Sequence, residues 1–284
     1  MNGQLLDIAL LESFRDHLVR EERSSKTVEK YVRDARAFYF FLPPDKWLTK
    51  ERVMDYKAHV TENYKTASAN SMLVAVNRFL AFLGCGDCQV KLLKVQRANF
   101  RHAEKELSKE EYRRLLAAAQ NKKNERLYLL MQTLCSTGLR VSEHRFVTAQ
   151  ALREGAVRVR SKGKERVVFL PPELIRQLRD YCARRRISAG PVFVTRTGRV
   201  LDRSNIWAEM KRLCLQARVA AQKVFPHNLR HLFALTYYRL KKDIVRLADV
   251  LGHSSVETTR IYTATTGREE KRLVSRLGLL ARST

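Results

Sequence analysis

Apolar residues recur at helical spacing from the start of the chain. Leu5, Ile8, Leu11, Phe14 and Leu18 form one stripe with charged residues between them, which predicts a helix over residues 5–22. Ser24 and Ser25 offer a cap for a second helix, whose apolar stripe is Val28, Tyr31, Val32, Ala35, Phe38 and Phe41. Pro43 and Pro44 stop it. A third helix is expected from Thr49 to about Tyr64, and a fourth from Ser68 or Ser71 to Leu83, closed by Gly84. Four helices without a strand predict a small bundle over residues 1–87, with the aromatic stretches 38–41 and 79–82 in its core.

Periodicity then lapses. Residues 88–106 are basic (Lys91, Lys94, Arg97 and Arg101) and read as an interdomain linker. Ser108 and Glu111 mark a new start as a capping box, followed by helices to Ala119 and from Glu125 to Cys135, the second broken at Gly138. The period next changes from helical to alternating. Residues 156–160 alternate and residues 166–170 are β-branched and apolar, with Ser161, Lys162, Gly163, Lys164 and Glu165 between them. That pattern predicts a hairpin with lysine at its tip. Helices return at about 173–186, 204–218, 227–240, 244–251, 255–263 and 268–277, with one short strand at 192–194. The fold class is therefore mainly α: a helical bundle, then a mostly helical domain over residues 107–284 with a small antiparallel sheet.

Charge changes the picture most. The chain carries a formal +26. Residues 1–97 hold 16 Lys and Arg against 12 Asp and Glu, a net +4, while residues 98–284 hold 39 against 17, a net +22. An excess so concentrated points to a polyanion, foremost nucleic acid. The five cysteines are an odd number without zinc-finger spacing, so Cys85 and Cys88 read as free thiols in a turn. No signal peptide opens the chain and no apolar run spans a bilayer. These features place the protein in a reducing cytoplasm and leave membranes out of its partners.

Six polar residues fall at element ends or turns: Arg140, Lys162, His227, Arg230, His253 and Tyr262. His227 and Arg230 share a helix face at i and i+3, and His253 follows Gly252 at a helix end. Paired guanidiniums suit a bidentate grip on phosphate. A lysine can protonate a leaving oxygen, and a phenol becomes a nucleophile where a positive field or a base lies near. Each residue alone has a structural reading: Arg140 as a cap or partner of Glu143, Lys162 or Lys164 as a solvated hairpin residue, Tyr262 as one tyrosine of 10. No Asp/Glu cluster supports two-metal hydrolysis, and no phosphate-loop motif implies a nucleotide. Neither a metal nor a cofactor is expected.

T-G-L-R-V-S-E (137–143), S-K-G-K (161–164), H-N-L-R-H (227–231), L-G-H (251–253) and T-R-I-Y-T (259–263) together resemble the signature of the tyrosine recombinases, or phage-type integrases. The resemblance covers about residues 5–280 and includes a helical core-binding domain. It implies that Arg140 and Arg230 hold the scissile phosphate and that Lys162 is the general acid toward the 5′-hydroxyl. It further implies that His227 and His253 assist proton movement and that Tyr262 attacks to give a 3′-phosphotyrosine. Double-stranded DNA is the implied partner, with a homotetramer on two recombination sites passing through a Holliday junction and room for an accessory protein. The short stretch before the bundle suits a simple Xer-like or mobile-element enzyme, of bacterial or mobile-element origin, without an arm-binding domain. The candidate DNA contacts are Lys91, Lys94, Arg97, Lys164, Arg196, Arg199, Arg203 and Lys211. Two other readings stay open: a type IB topoisomerase, and a catalytically silent DNA-binding regulator.

Overall fold

The computed structural model describes residues 4–94, 103–161, 164–263, 271 and 274–277. Arg97, Lys162 and half of the expected tail helix over 268–277 lie outside them. The chain divides into two compact units, residues 1–97 and 98–284.

In the first unit, α1 (Ala9–Arg20), α2 (Ser25–Phe41), α3 (Lys50–Asn63) and α4 (Thr66–Phe82) enclose one core. Ser24 caps α2 and Thr49 caps α3 through their hydroxyls, as their residue types favour. Phe14, Phe38 and Phe79 are fully buried, with Phe14 and Phe79 rings 5.1 Å apart. Two expectations need correction. The bundle does contain strands, because β1 (Gln4–Leu5) pairs antiparallel with β2 (Trp47–Leu48), and two residues are too few to show alternation. This pairing delays α1 to Ala9. The fourth helix begins at Thr66 and not at either serine, with Lys65 as a cap residue that makes no side-chain bond.

The second unit begins with α5 (Lys109–Asn121), held by the reciprocal Ser108–Glu111 box. Next come α6 (Glu125–Thr137), a 3-10 segment Val141–Phe146 and α7 (Ala149–Glu154). The hairpin is β3 (Ala156–Ser161) against β4 (Lys164–Phe169), in register from Ala156 opposite Phe169 to Ser161 opposite Lys164. Only one of its faces is covered: Val157 and Val168 are buried, whereas Phe169 is exposed. Then follow α8 (Pro172–Arg185), α9 (Arg203–Lys211), α10 (Cys214–Ala217), α11 (Pro226–Lys241) and α12 (Ile244–Leu251). The core gathers around α6, where Leu127, Leu130, Met131 and Leu134 meet residues such as Leu178, Phe193 and Leu229.

Three expectations differ here. Residues 204–218 form two helices, α9 and α10, interrupted at Arg212 and Leu213. The expected helix over 255–263 is two 3-10 turns, Val256–Thr258 and Arg260–Tyr262. Residues 192–194 contribute only an isolated bridge, Val194 to Val200. Among the described residues no helix is long and apolar enough to cross a membrane.

The two aromatic stretches of the first unit separate core from surface by measurable energies. Phe79→Ala should lower the unfolding free energy by ~3–5 kcal/mol, seen as a lower denaturant midpoint. Phe40, 63% exposed, should tolerate alanine within ~0.5 kcal/mol.

Candidate active site

Two helices end in left-handed glycines beside the same side chain. Gly138 closes α6 at φ +67° and Gly252 closes α12 at φ +64°. Between these ends lies Arg230 of α11, only 2% exposed. Its Nη1 donates to the Gly138 carbonyl at 2.6 Å, and its Nη2 donates to the Leu251 carbonyl at 2.7 Å. Helix C-termini present unpaired carbonyls and the negative end of the helix dipole, so the buried cation is partnered, among the described residues, without a carboxylate touching it. Burial first, then the nearby Arg140, lowers its pKa to about 10, and it stays charged at neutral pH. A Cβ on Gly138 would stand 2.5 Å from the Phe233 ring, so glycine is required both by the positive φ and by the α11 contact.

Arg230 Nη2 also lies 3.0 Å from Nε2 of His253, whose Nδ1 is 2.8 Å from the hydroxyl of fully buried Thr259. Burial, then Arg230, Arg140, Arg166 and His227, lower the His253 pKa to about 4, so the ring is neutral at pH 7. Three residues past Thr259, Tyr262 is 3% exposed and packs in a cluster with Ala234, Leu235, Leu247 and Leu251. Burial raises its phenol pKa, and Arg230 and Arg140 pull it part of the way back. The ring of His231 packs against Tyr262, tilted by 51° with centroids 5.0 Å apart, and meets Glu106 at 3.3 Å.

Arg140 caps the 3-10 segment after Gly138 and remains the more open of the two arginines. It donates to Glu143 at 2.9 Å and to the Gly252 carbonyl at 3.2 Å. Pairing with Glu143, read from the sequence as the structural option, thus coexists with a place in the cluster. Glu143 is buried and also accepts both Nη groups of Arg166 on β4, at 3.0 and 2.7 Å. Burial pushes its carboxyl upward, but these donors outweigh it and hold the pKa below the ordinary value. Arg166 lies against Gly252, where a Cβ would come within 2.7 Å of its Cδ.

Arg140, Arg230, His253 and Tyr262 therefore gather in one place. His227 is exposed at the start of α11, and its pKa is lowered by desolvation and then by Arg230. Lys162 lies outside the described residues, and Lys164 is described by its backbone alone. Arg196, Arg199 and Arg203 are exposed on the second unit, as are Lys91 and Lys94 on the first. Lys211 is tied down, donating to the Ala221 carbonyl and lying over the Trp207 ring. Sequence reasoning missed Arg166, Thr259 and the Glu106–His231 pair. Two of these positions had a signal, Thr259 in the T-R-I-Y-T run and His231 at the end of H-N-L-R-H.

Residues 105–269 match the model of the phage integrase family, and residues 11–84 match the phage integrase N-terminal SAM-like domain. The chain belongs to the phage integrase family. Tyrosine recombinase XerA of Thermococcus kodakarensis is 31% identical, over 94% of this chain and 97% of that one. Among solved structures, a XerH site-specific recombinase in a post-cleavage complex with a palindromic difH substrate aligns at a TM-score of 0.71. Its identity is 18%, over 97% of this chain and 91% of that one. A lambda integrase tetramer bound to a Holliday junction also aligns at a TM-score of 0.71, with 17% identity over 89% of this chain and 76% of the other. The fold is thus that of the tyrosine recombinases, with two small antiparallel sheets where one was expected.

Two outcomes follow from the geometry of this recombinase. Gly138→Ala should cost on the order of 2 kcal/mol by forcing both the backbone and Phe233, read as a lower urea midpoint at unchanged slope. The histidine pKa values set a pH dependence. His253 is depressed in the folded state, so the unfolded chain binds its proton first. Stability should hold above the unfolded value of about 6.5 and fall as pH drops from there toward the folded value of about 4. Urea melts at pH 7 and pH 5 should show that loss, and His253→Gln should lose less.

Proposed function

We propose that this recombinase breaks and rejoins double-stranded DNA through Tyr262, for integration, excision, inversion or resolution. The observation that carries the reading is the convergence of a buried phenol, two guanidiniums and a histidine. Arg230 and Arg140 are positioned to bind the non-bridging oxygens of one phosphate, where negative charge grows during attack. The Tyr262 oxygen bonds to phosphorus as the bond to the 5′-oxygen breaks, leaving a 3′-phosphotyrosine. Lys162 gives a proton to the departing 5′-oxygen, and His227 and His253 assist proton movement. The phosphotyrosine keeps the energy of the phosphodiester, so attack by a 5′-hydroxyl reverses the step. Rejoining to a different strand is recombination.

The lambda integrase neighbour is a tetramer on a Holliday junction. The same assembly is proposed for this chain, with four copies on two recombination sites. Residues 1–87 act as the core-binding domain, residues 88–106 as a basic linker and residues 107–284 as the catalytic domain. Lys91, Lys94, Arg97, Lys164, Arg196, Arg199 and Arg203 contact DNA, chiefly phosphate, the commoner target of basic side chains. Lys211 contributes less, because its amine is already bonded. Five free cysteines suit a reducing cytoplasm.

Covalent trapping tests the reading. With nicked duplexes tiled across the DNA flanking its own gene, wild type should leave a denaturant-resistant adduct. Tyr262→Phe should bind the same DNA and leave none. An adduct formed by that variant would overturn the assignment of the nucleophile. Binding should weaken about a thousandfold between 50 and 200 mM salt as condensed counterions are released, measurable by fluorescence anisotropy. An affinity flat across that range would contradict the phosphate contacts.

A further inference from the structure

Thr259 touches both halves of the site. Its hydroxyl is 2.8 Å from Nδ1 of His253, and its carbonyl accepts the backbone N–H of Tyr262 at 2.9 Å. It is completely buried, so water does not compete for the hydroxyl. The roles in this chain of hydrogen bonds follow from Arg230. A guanidinium can only donate, so the Nε2 that faces Arg230 Nη2 at 3.0 Å is the unprotonated nitrogen. In a neutral imidazole the proton is then on Nδ1, and Thr259 Oγ1 accepts it. Arg230 and this buried hydroxyl together set which nitrogen of His253 presents a lone pair to the site.

We propose that Thr259 is a positioning residue for the strand-cleavage reaction: it holds the Nδ1–H form of His253 and fixes that ring relative to Tyr262. The inference rests on the recombinase reading given above. From this state the ring can change role without turning. When Arg230 moves its Nη2 bond to a phosphate oxygen, Nε2 is released. A proton taken up there from water gives the imidazolium, which then donates from Nε2 to the phosphate and still donates from Nδ1 to Thr259. The same hydroxyl accepts in both states, so it favours the neutral Nδ1–H form and then supports the cation. This is the logic of a third group orienting a catalytic histidine, with a hydroxyl in that place.

The surroundings make the hydroxyl decisive. The charged and titratable groups acting most strongly on His253 are Arg230 from α11, Arg140 after Gly138, Arg166 from β4 and His227, while the carboxylate of the cluster, Glu143, is engaged by Arg140 and Arg166. Those four groups oppose protonation, and none of them accepts the Nδ1 proton. Thr259 accepts it. Without that acceptor the proton should move to Nε2, where it would face a donor and break the contact with Arg230.

Side-chain 15N spectra of the DNA-free protein test this directly, with the His253 signal assigned by its loss in His253→Gln. Wild type and Thr259→Ser should show the Nδ1–H tautomer. Thr259→Val, close in shape but without the hydroxyl, should lose it and titrate at lower pH. Retention of the wild-type tautomer and titration in Thr259→Val would overturn the proposal. Covalent trapping on the nicked duplexes supplies the second readout. Thr259→Val should form adduct about tenfold more slowly, while Thr259→Ser stays within about threefold of wild type. The pH–rate profile of Thr259→Val should also move to lower pH. A slower rate with an unmoved profile would mean simple loss of packing and would also overturn it. If wild type itself forms no adduct, the recombinase reading fails while the tautomer result still judges Thr259.

Discussion

A guanidinium with almost no exposure must find hydrogen-bond acceptors inside the protein, and Arg230 finds them on two helix ends. Its partners are carbonyls at the C-termini of α6 and α12, groups with no acceptor role inside their own helices. Much of the second unit serves this arrangement. Gly138 takes the left-handed conformation that aims its carbonyl inward, and Phe233 closes over it one turn along α11 from Arg230. Leu251 offers its carbonyl to Arg230 while its side chain packs beside Tyr262. The proposed phosphate grip and the pocket around Tyr262, the proposed nucleophile, are therefore built from the same few residues.

Around Arg230 the charges are left unbalanced. Among the described residues, three guanidiniums, those of Arg140, Arg166 and Arg230, meet one carboxylate, Glu143, and His253 is neutral. Glu143 bonds to Arg140 and Arg166 but not to Arg230. It orders the cluster without neutralising it. Such a surplus is costly in an empty site and favourable once an anion enters, which is how a preorganised site differs from a set of surface ion pairs.

What the sequence revealed divides along the range of the interaction. Features decided within a few residues were legible: the Ser24 and Thr49 caps, the Ser108–Glu111 box, the break at Gly138 and the existence of the hairpin, though its strands reach further into the turn than expected. The motif residues Arg140, Arg230, His253 and Tyr262 were legible through their resemblance to a family, and geometry brings those four together. Arg166 was not, because it reaches Glu143 from 23 residues away and sits in a stretch that reads as plain strand. Thr259 resembles any threonine until the fold sets it against His253. The 3-10 turns at 256–262 were read as helix because apolar spacing over so few residues fits either form.

Those turns have a consequence for how the site divides its labour. Arg230 rides on the 16-residue α11 and Arg166 on the paired strand β4, elements whose internal hydrogen bonds reinforce one another. Tyr262 is at the end of two single turns, each closed by one or two backbone bonds, such as Thr259 to Val256 and Tyr262 to Thr259. Opening such a turn forfeits little cooperativity, whereas shifting Arg230 would unseat three helices. On the roles proposed for these residues, an enzyme that must cut some strands and spare others can thus regulate Tyr262 alone, leaving the arginine cluster assembled throughout.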